Sequence, residues 1–139
     1  MQIKSIVGCP TNRAQYIVCC MVAVSEFLPT CKRVSYQYFY QREKYNESTG
    51  KRHKLGPKVG VVIGYTDQSG KLFMGASRCN LKLGDKFDRY IGLYQAIKNS
   101  KPVIGLELSE MFVGVPESLH RTFAHVFDRL HEFAADAVA

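Results

Sequence analysis

Val59-Gly60-Val61-Val62-Ile63-Gly64-Tyr65-Thr66, then Asp67-Gln68-Ser69-Gly70, then Lys71-Leu72-Phe73-Met74-Gly75-Ala76-Ser77-Arg78-Cys79 is the stretch on which the fold turns. Two runs rich in β-branched and aromatic residues flank four turn formers, so the stretch reads as an antiparallel hairpin. Gly70 is the turn residue free to take a positive φ. The chain then passes through Asn80-Leu81-Lys82-Leu83-Gly84 into a helix over 85–99. Phe87, Tyr90, Ile91, Tyr94 and Ile97 fall at helical spacing along one face of it. Asp85 and Asp88 suit a cap and the positive end of the helix dipole better than an acid–base pair. Asn99-Ser100-Lys101-Pro102 stops the helix.

Working toward the N-terminus, residues 32–42 alternate with period two. Val34, Tyr36, Tyr38 and Tyr40 share one side, and Ser35, Gln37, Phe39 and Gln41 the other, which predicts a strand with one apolar face. Such a tyrosine ladder fits a half-buried sheet face with hydroxyls at its rim, and it also fits a platform for stacking bases. Residues 15–24 are predicted as a further strand, residues 2–8 as a short one, and Thr11-Asn12-Arg13 as a turn. Between the strands, residues 43–58 are dominated by glycine, proline and charge and read as a long hairpin loop. Its Lys51, Arg52, Lys54 and Lys58 are either a solvated charge run or a flap over an anionic ligand. Toward the C-terminus, residues 103–114 stay ambiguous between strand, loop and helical turn. Pro116 then suits a first helical position, and Leu119, Phe123, Val126, Phe127, Leu130, Phe133 and Ala134 form an apolar stripe. Arg121, Asp128 and Glu132 lie opposite it. The expected class is α+β: an antiparallel sheet core of four to five strands followed by two C-terminal amphipathic helices that pack together.

The 139 residues suffice for one domain, 1–139, with one core. Hydrophobic content of 46% and charged content of 22% exclude a disordered chain. The net charge of +7 points to an acidic partner such as a nucleotide, a nucleic acid or an anionic surface. No apolar run reaches the ~20 residues of a membrane span, and the start lacks a secretory signal, so a cytoplasmic protein is expected. Cysteines 9, 19, 20, 31 and 79 are odd in number and contain no Cys-x-x-Cys pair, which predicts reduced thiols serving as small hydrophobes.

The chemistry a catalyst would need is missing from the sequence. No Gly-x-Ser-x-Gly elbow, phosphate-binding loop or Gly-x-Gly-x-x-Gly occurs. His120, His125 and His131 are offset by five and six residues and do not share a helical face, so no metal site is expected, and no cofactor is called for. What remains is convergence at one corner. Arg78 and Asn80 close a strand, Lys82 and Lys86 flank them, and the helix that follows offers N–H groups to an anion. Arg89 lies one turn further on.

Two segments carry a resemblance. Ala76-Ser77-Arg78-Cys79-Asn80 with Asp85-Lys86-Phe87-Asp88-Arg89-Tyr90-Ile91-Gly92-Leu93-Tyr94-Gln95-Ala96-Ile97 is one. Val115-Pro116-Glu117-Ser118-Leu119 with Phe127-Asp128-Arg129-Leu130-His131-Glu132-Phe133 is the other. Together they resemble the first type of phage Thoeris anti-defence protein, over residues 76–97 and 115–133. The resemblance does not extend to residues 1–58. It implies a homo-oligomer, dimer or hexamer, acting in the host cytoplasm. It also implies immune evasion by sequestration: the protein would capture a cyclic nucleotide or cyclic ADP-ribose signal without cleaving it. In such a site Arg78, Lys82, Lys86 and Arg89 would meet pyrophosphate and Asn80 ribose. Arg129 is the family-like arginine of the last helix, with a surface ion pair to Asp128 or Glu132 as its other reading. Phe87 is either core or a platform for the base. Two other classes fit the residues: a basic single-stranded nucleic-acid-binding protein, and a protein inhibitor of a host enzyme.

Overall fold

Asn12 starts the first helix: its side-chain oxygen accepts a hydrogen bond from the Gln15 backbone N–H at 2.9 Å. The computed structural model of the chain describes residues 2–6, 12–42, 55–79, 86–103 and 119–133. Helix α1 runs Arg13–Phe27 and closes into a 3₁₀ turn at Leu28–Thr30. The strand expected over 15–24 is therefore a helix, and a helix precedes the sheet. Cys20, Ala23, Val24 and Phe27 bury one side of α1, at the 0, 3, 4, 7 spacing of a helical stripe. Val18 and Val22 stay 52% and 47% exposed on another side, so α1 is apolar nearly all round and its periodicity is masked. Residues 2–6 are likewise no strand: they run irregularly, bury Ile3, and the Ile6 N–H donates to the Tyr94 hydroxyl at 3.1 Å.

The hairpin forms as read. Strand β2 spans Leu55–Thr66 and β3 Leu72–Arg78, in register from Gly60 opposite Arg78 to Thr66 opposite Leu72. Gly70 has φ 89°, and the Asp67 carboxylate accepts from the Ser69 and Lys71 N–H groups, both at 2.9 Å. Strand β1, Arg33–Arg42, pairs with β2 on its other side. Part of the expected loop is thus strand, since β2 begins at Leu55; residues 43–54 lie outside the described residues. Pro57 falls where the β1–β2 register shifts between Lys58 and Leu55, a break in the ladder that tolerates a missing N–H. Strand β4 is only Lys101–Pro102, paired with β3. The described strands make one antiparallel sheet in the order β1-β2-β3-β4, and with the helices an α+β architecture.

Alternation along β2 sorts the helices. Val61, Ile63 and Tyr65 point to one face, where they join α1 and helix α2, Arg89–Lys98, together with Val34, Tyr38 and Phe73. Val62 points to the other, where Leu72 and Met74 meet helix α3, His120–Leu130. The two C-terminal helices expected to pack together are therefore separated by the sheet. Helix α3 buries Leu119, Phe123, Val126, Phe127 and Leu130 of its stripe, each contributing about 1.5–3 kcal/mol. Phe133 instead stays 44% exposed, with the Arg33 guanidinium 3.9 Å from its ring centre.

Helix α2 starts four residues later than expected from 85, capped by Asp88, and ends at Lys98, one residue short of the expected 99, which is its C-cap. Its end lies so close to β3 that a Cβ on Gly75 would sit 2.2 Å from the Ala96 carbonyl oxygen. The Ser100 hydroxyl locks that corner: it donates to the Ile97 carbonyl at 2.6 Å and lies 2.5 Å from the Tyr65 hydroxyl. Among the described residues no helix is long and apolar enough to cross a membrane.

Candidate ligand-binding cleft

Where β3 ends, α2 begins and α1 begins, the three elements leave a cleft of ≈ 370 Å³. Arg78 and Cys79 reach it from the end of β3, and Lys86, Phe87 and Asp88 from the entry to α2. Arg13 reaches it from the first turn of α1 and donates a hydrogen bond to the Lys86 carbonyl. Arg78, Arg13 and Lys86 are all exposed, so their charges face water until something anionic enters. Against these three cations the described lining residues include one carboxylate, Asp88.

That carboxylate is already committed. One Asp88 oxygen accepts from the Tyr90 N–H at 2.9 Å and the Ile91 N–H at 3.0 Å. Two of the helix N–H groups expected to face an anion are thus taken by the cap. Polar neighbours are held in place along one wall. The Ser77 hydroxyl donates to the Gly92 carbonyl at 2.7 Å, the Gln95 amide to the Tyr16 hydroxyl at 2.9 Å, and the Asn99 amide to the Ala76 carbonyl at 3.4 Å. Phe87 supplies the apolar wall. It packs on Gly92, where an added Cβ would lie 2.8 Å from the ring, and edge-on to Tyr38 at 5.7 Å.

The expected site residues divide. Arg78 and Lys86 come together in the cleft. Asn80 and Lys82 lie outside the described residues. Arg89 is turned elsewhere: its guanidinium lies 4.5 Å over the Tyr90 ring and donates to the Tyr90 hydroxyl. That contact is the first cause raising the Arg89 pKa above its ordinary value. Arg129 is on the opposite face of the sheet, donating to the Ser35 hydroxyl at 3.1 Å and to the Gln37 side-chain carbonyl. A single chain therefore does not bring Arg129 to the cleft, because α3 and α2 cover different faces. Arg13 was missed with its helix. The signal for it was Asn12-x-x-Gln15, a helix-start pattern ahead of an apolar run.

Chemically, the cleft can draw in and orient an anion. Among the described residues that line it there is no histidine, and the nucleophile-type side chains are Ser77, whose hydroxyl donates a hydrogen bond to a backbone carbonyl, and Cys79. Among the described residues no three His, Cys, Asp or Glu side chains gather as metal ligands. No family model, curated protein or solved structure matches the chain.

Proposed function

We propose that the protein is a binding protein that captures one small phosphorylated ligand of nucleotide type in this cleft and holds it without turnover. The observation that carries the reading is the convergence of Arg13, Arg78 and Lys86 from three elements onto one cleft beside the fixed side chains of Ser77, Gln95 and Asn99. Guanidinium and ammonium groups supply charge-assisted hydrogen bonds to phosphate, and Arg adds a planar, bidentate fork. A volume of ≈ 370 Å³ lies at the small end of ligand sites, enough for a nucleotide-sized molecule. The resemblance to phage Thoeris anti-defence proteins narrows the ligand to a cyclic nucleotide or cyclic ADP-ribose signal, and the setting to a host cytoplasm. It also carries the homo-oligomer. Val18 and Val22, one turn apart on the outer side of α1, support that part of the reading as apolar surface for a second copy.

The experiment is a thermal-shift series with cyclic di- and trinucleotides and ADP-ribose isomers, followed by recovery of the bound molecule. A ligand at 100 times its Kd that binds only the folded chain adds about 2.7 kcal/mol of stability. The ligand should come back intact and stoichiometric after heat denaturation. Recovery of a hydrolysed nucleotide, or no shift with any member of the panel, overturns the reading. Light scattering at micromolar concentration should give a mass above the 15.7 kDa of one chain.

A further inference from the structure

Tyr38 sits at the centre of a second surface, on the α2 side of the edge strand β1. Its ring meets Tyr36 edge-on at 5.7 Å on one side and Phe87 at 5.7 Å on another. The Lys58 ammonium lies 4.5 Å from the Tyr38 ring centre, and Arg89 lies 4.5 Å from that of Tyr90. Burial first, then the neighbouring Tyr36 hydroxyl, pushes the Tyr38 phenol up, while Arg89 pulls it down; Tyr90 and Tyr40 act on it as well. Tyr36, Tyr38, Phe87 and Lys58 are therefore in direct contact, Tyr40 of β1 pairs with Lys58 of β2, and Arg89 covers Tyr90. Tyr36 and Tyr40 are 43% and 38% exposed, unusual for tyrosines that a sheet and a helix could have covered. Core packing accounts for Tyr38 and Phe87 and leaves Tyr36 and Tyr40 partly exposed.

We propose that this strip binds single-stranded nucleic acid, with unpaired bases stacked on Tyr36 and Tyr40 and the backbone phosphates met by Lys58 and Arg89. Aromatic faces interleaved with cations are what such a strand requires, because every base has a π-face and every linkage a charge. Charge complementarity favours this occupant. Both charged members of the cluster are cations, and the chain carries a net +7. A duplex would fit poorly, since its bases are stacked on one another and give a tyrosine no free face. The strip does not use the cleft, so the two readings stand or fall separately.

Fluorescence anisotropy with labelled oligo(dT), oligo(rU) and a duplex of equal length, at 50 and 200 mM salt, tests the proposal. Both single strands should bind ahead of the duplex, the DNA and RNA arms showing whether a 2′-hydroxyl matters. Tyr36→Ala and Tyr40→Ala should each weaken binding about 5- to 150-fold with the salt dependence unchanged, whereas the Phe variants keep the ring and the affinity. Lys58→Ala and Arg89→Ala should instead each reduce the slope of log K against log salt by about 0.7. Should an alanine variant of a tyrosine melt early, the Lys58 and Arg89 variants carry the test, both positions being exposed. Duplex bound as tightly as single strand, wild-type affinity in the folded variants, or no binding at 50 mM salt overturns the proposal.

Discussion

Gly75→Ala is the sharpest probe of how α2 is seated. On an open strand the change would gain about 0.5–1 kcal/mol, because alanine loses less backbone entropy on folding. Here the new Cβ would stand 2.2 Å from the Ala96 oxygen, 2.7 Å from Ser100 Cα and 2.8 Å from Ser100 N. All three are main-chain atoms, and the closest is more than an ångström short of ordinary contact. No rotamer change relieves them, so the end of α2 must lift from β3, against the Ser100 bonds to Ile97 and Tyr65. Overpacking costs about 1–3 kcal/mol, and more where backbone has to move, so a net loss of about 2–4 kcal/mol is expected. Gly64→Ala is the control. Its new Cβ would meet Leu130 Cδ1 at 2.6 Å, the end of a side chain that can turn, and Val126 Cγ1 at 2.9 Å, on a stiff β-branched residue that yields only by a small shift of its helix. That variant should cost about 1–3 kcal/mol, less than Gly75→Ala. Urea unfolding followed by far-UV circular dichroism measures both, with an unchanged m-value showing that the transition is still the same one. Because Gln95 and Asn99 line the cleft from α2, Gly75→Ala should also weaken ligand binding. The reasoning fails if Gly75→Ala stays within about 1 kcal/mol of wild type or if Gly64→Ala is the more damaging of the two.

Arg13→Ala and Arg78→Ala should each weaken nucleotide binding by about 1.5–3 kcal/mol, read by calorimetry, if each makes a charged hydrogen bond. Arg129→Ala should leave that affinity unchanged, and a loss there would mean that a neighbouring subunit's α3 completes the cleft. Thr66 is fully buried and its hydroxyl finds no hydrogen-bond partner among the described residues, so Thr66→Val should be neutral or stabilise by up to about 1 kcal/mol in the same urea assay. Burial holds the Cys20 thiol neutral, its pKa pushed up to about 11 from 9.0. Its stability contribution is therefore whole below pH about 9 and is lost as pH rises toward about 11, and native Cys20 should alkylate at pH 8 about 100-fold more slowly than the unfolded thiol. Mass spectrometry after iodoacetamide pulses reads this, and native labelling of Cys20 at the unfolded rate would contradict its burial.

Much of the architecture was legible because it is local. The hairpin follows from Gly70, the Asp67 turn and two apolar runs, all within a few residues of one another. Helix α2 follows from the Asp88 cap and the Asn99 stop, and α3 from a stripe whose polar side is clearly polar. Helix α1 was not legible by periodicity, because a helix with valines on its outer side shows no contrast between faces; only its cap betrayed it. The unbroken burial of Val61, Val62 and Ile63 requires that both faces of β2 be covered. Which helix covers which face is decided by packing between segments far apart in the chain. The cleft depends on that decision: Arg13 and Lys86 meet only because α1 and α2 share a face, and Arg129 is kept away because α3 took the other. Residue type and placement beside a strand end and a helix start marked Arg78 and Lys86 as candidate anion ligands. Arg13, the third cation of the cleft, joins them only through tertiary contact, since a charge acts on what lies near it in space, and only the folded chain sets that distance.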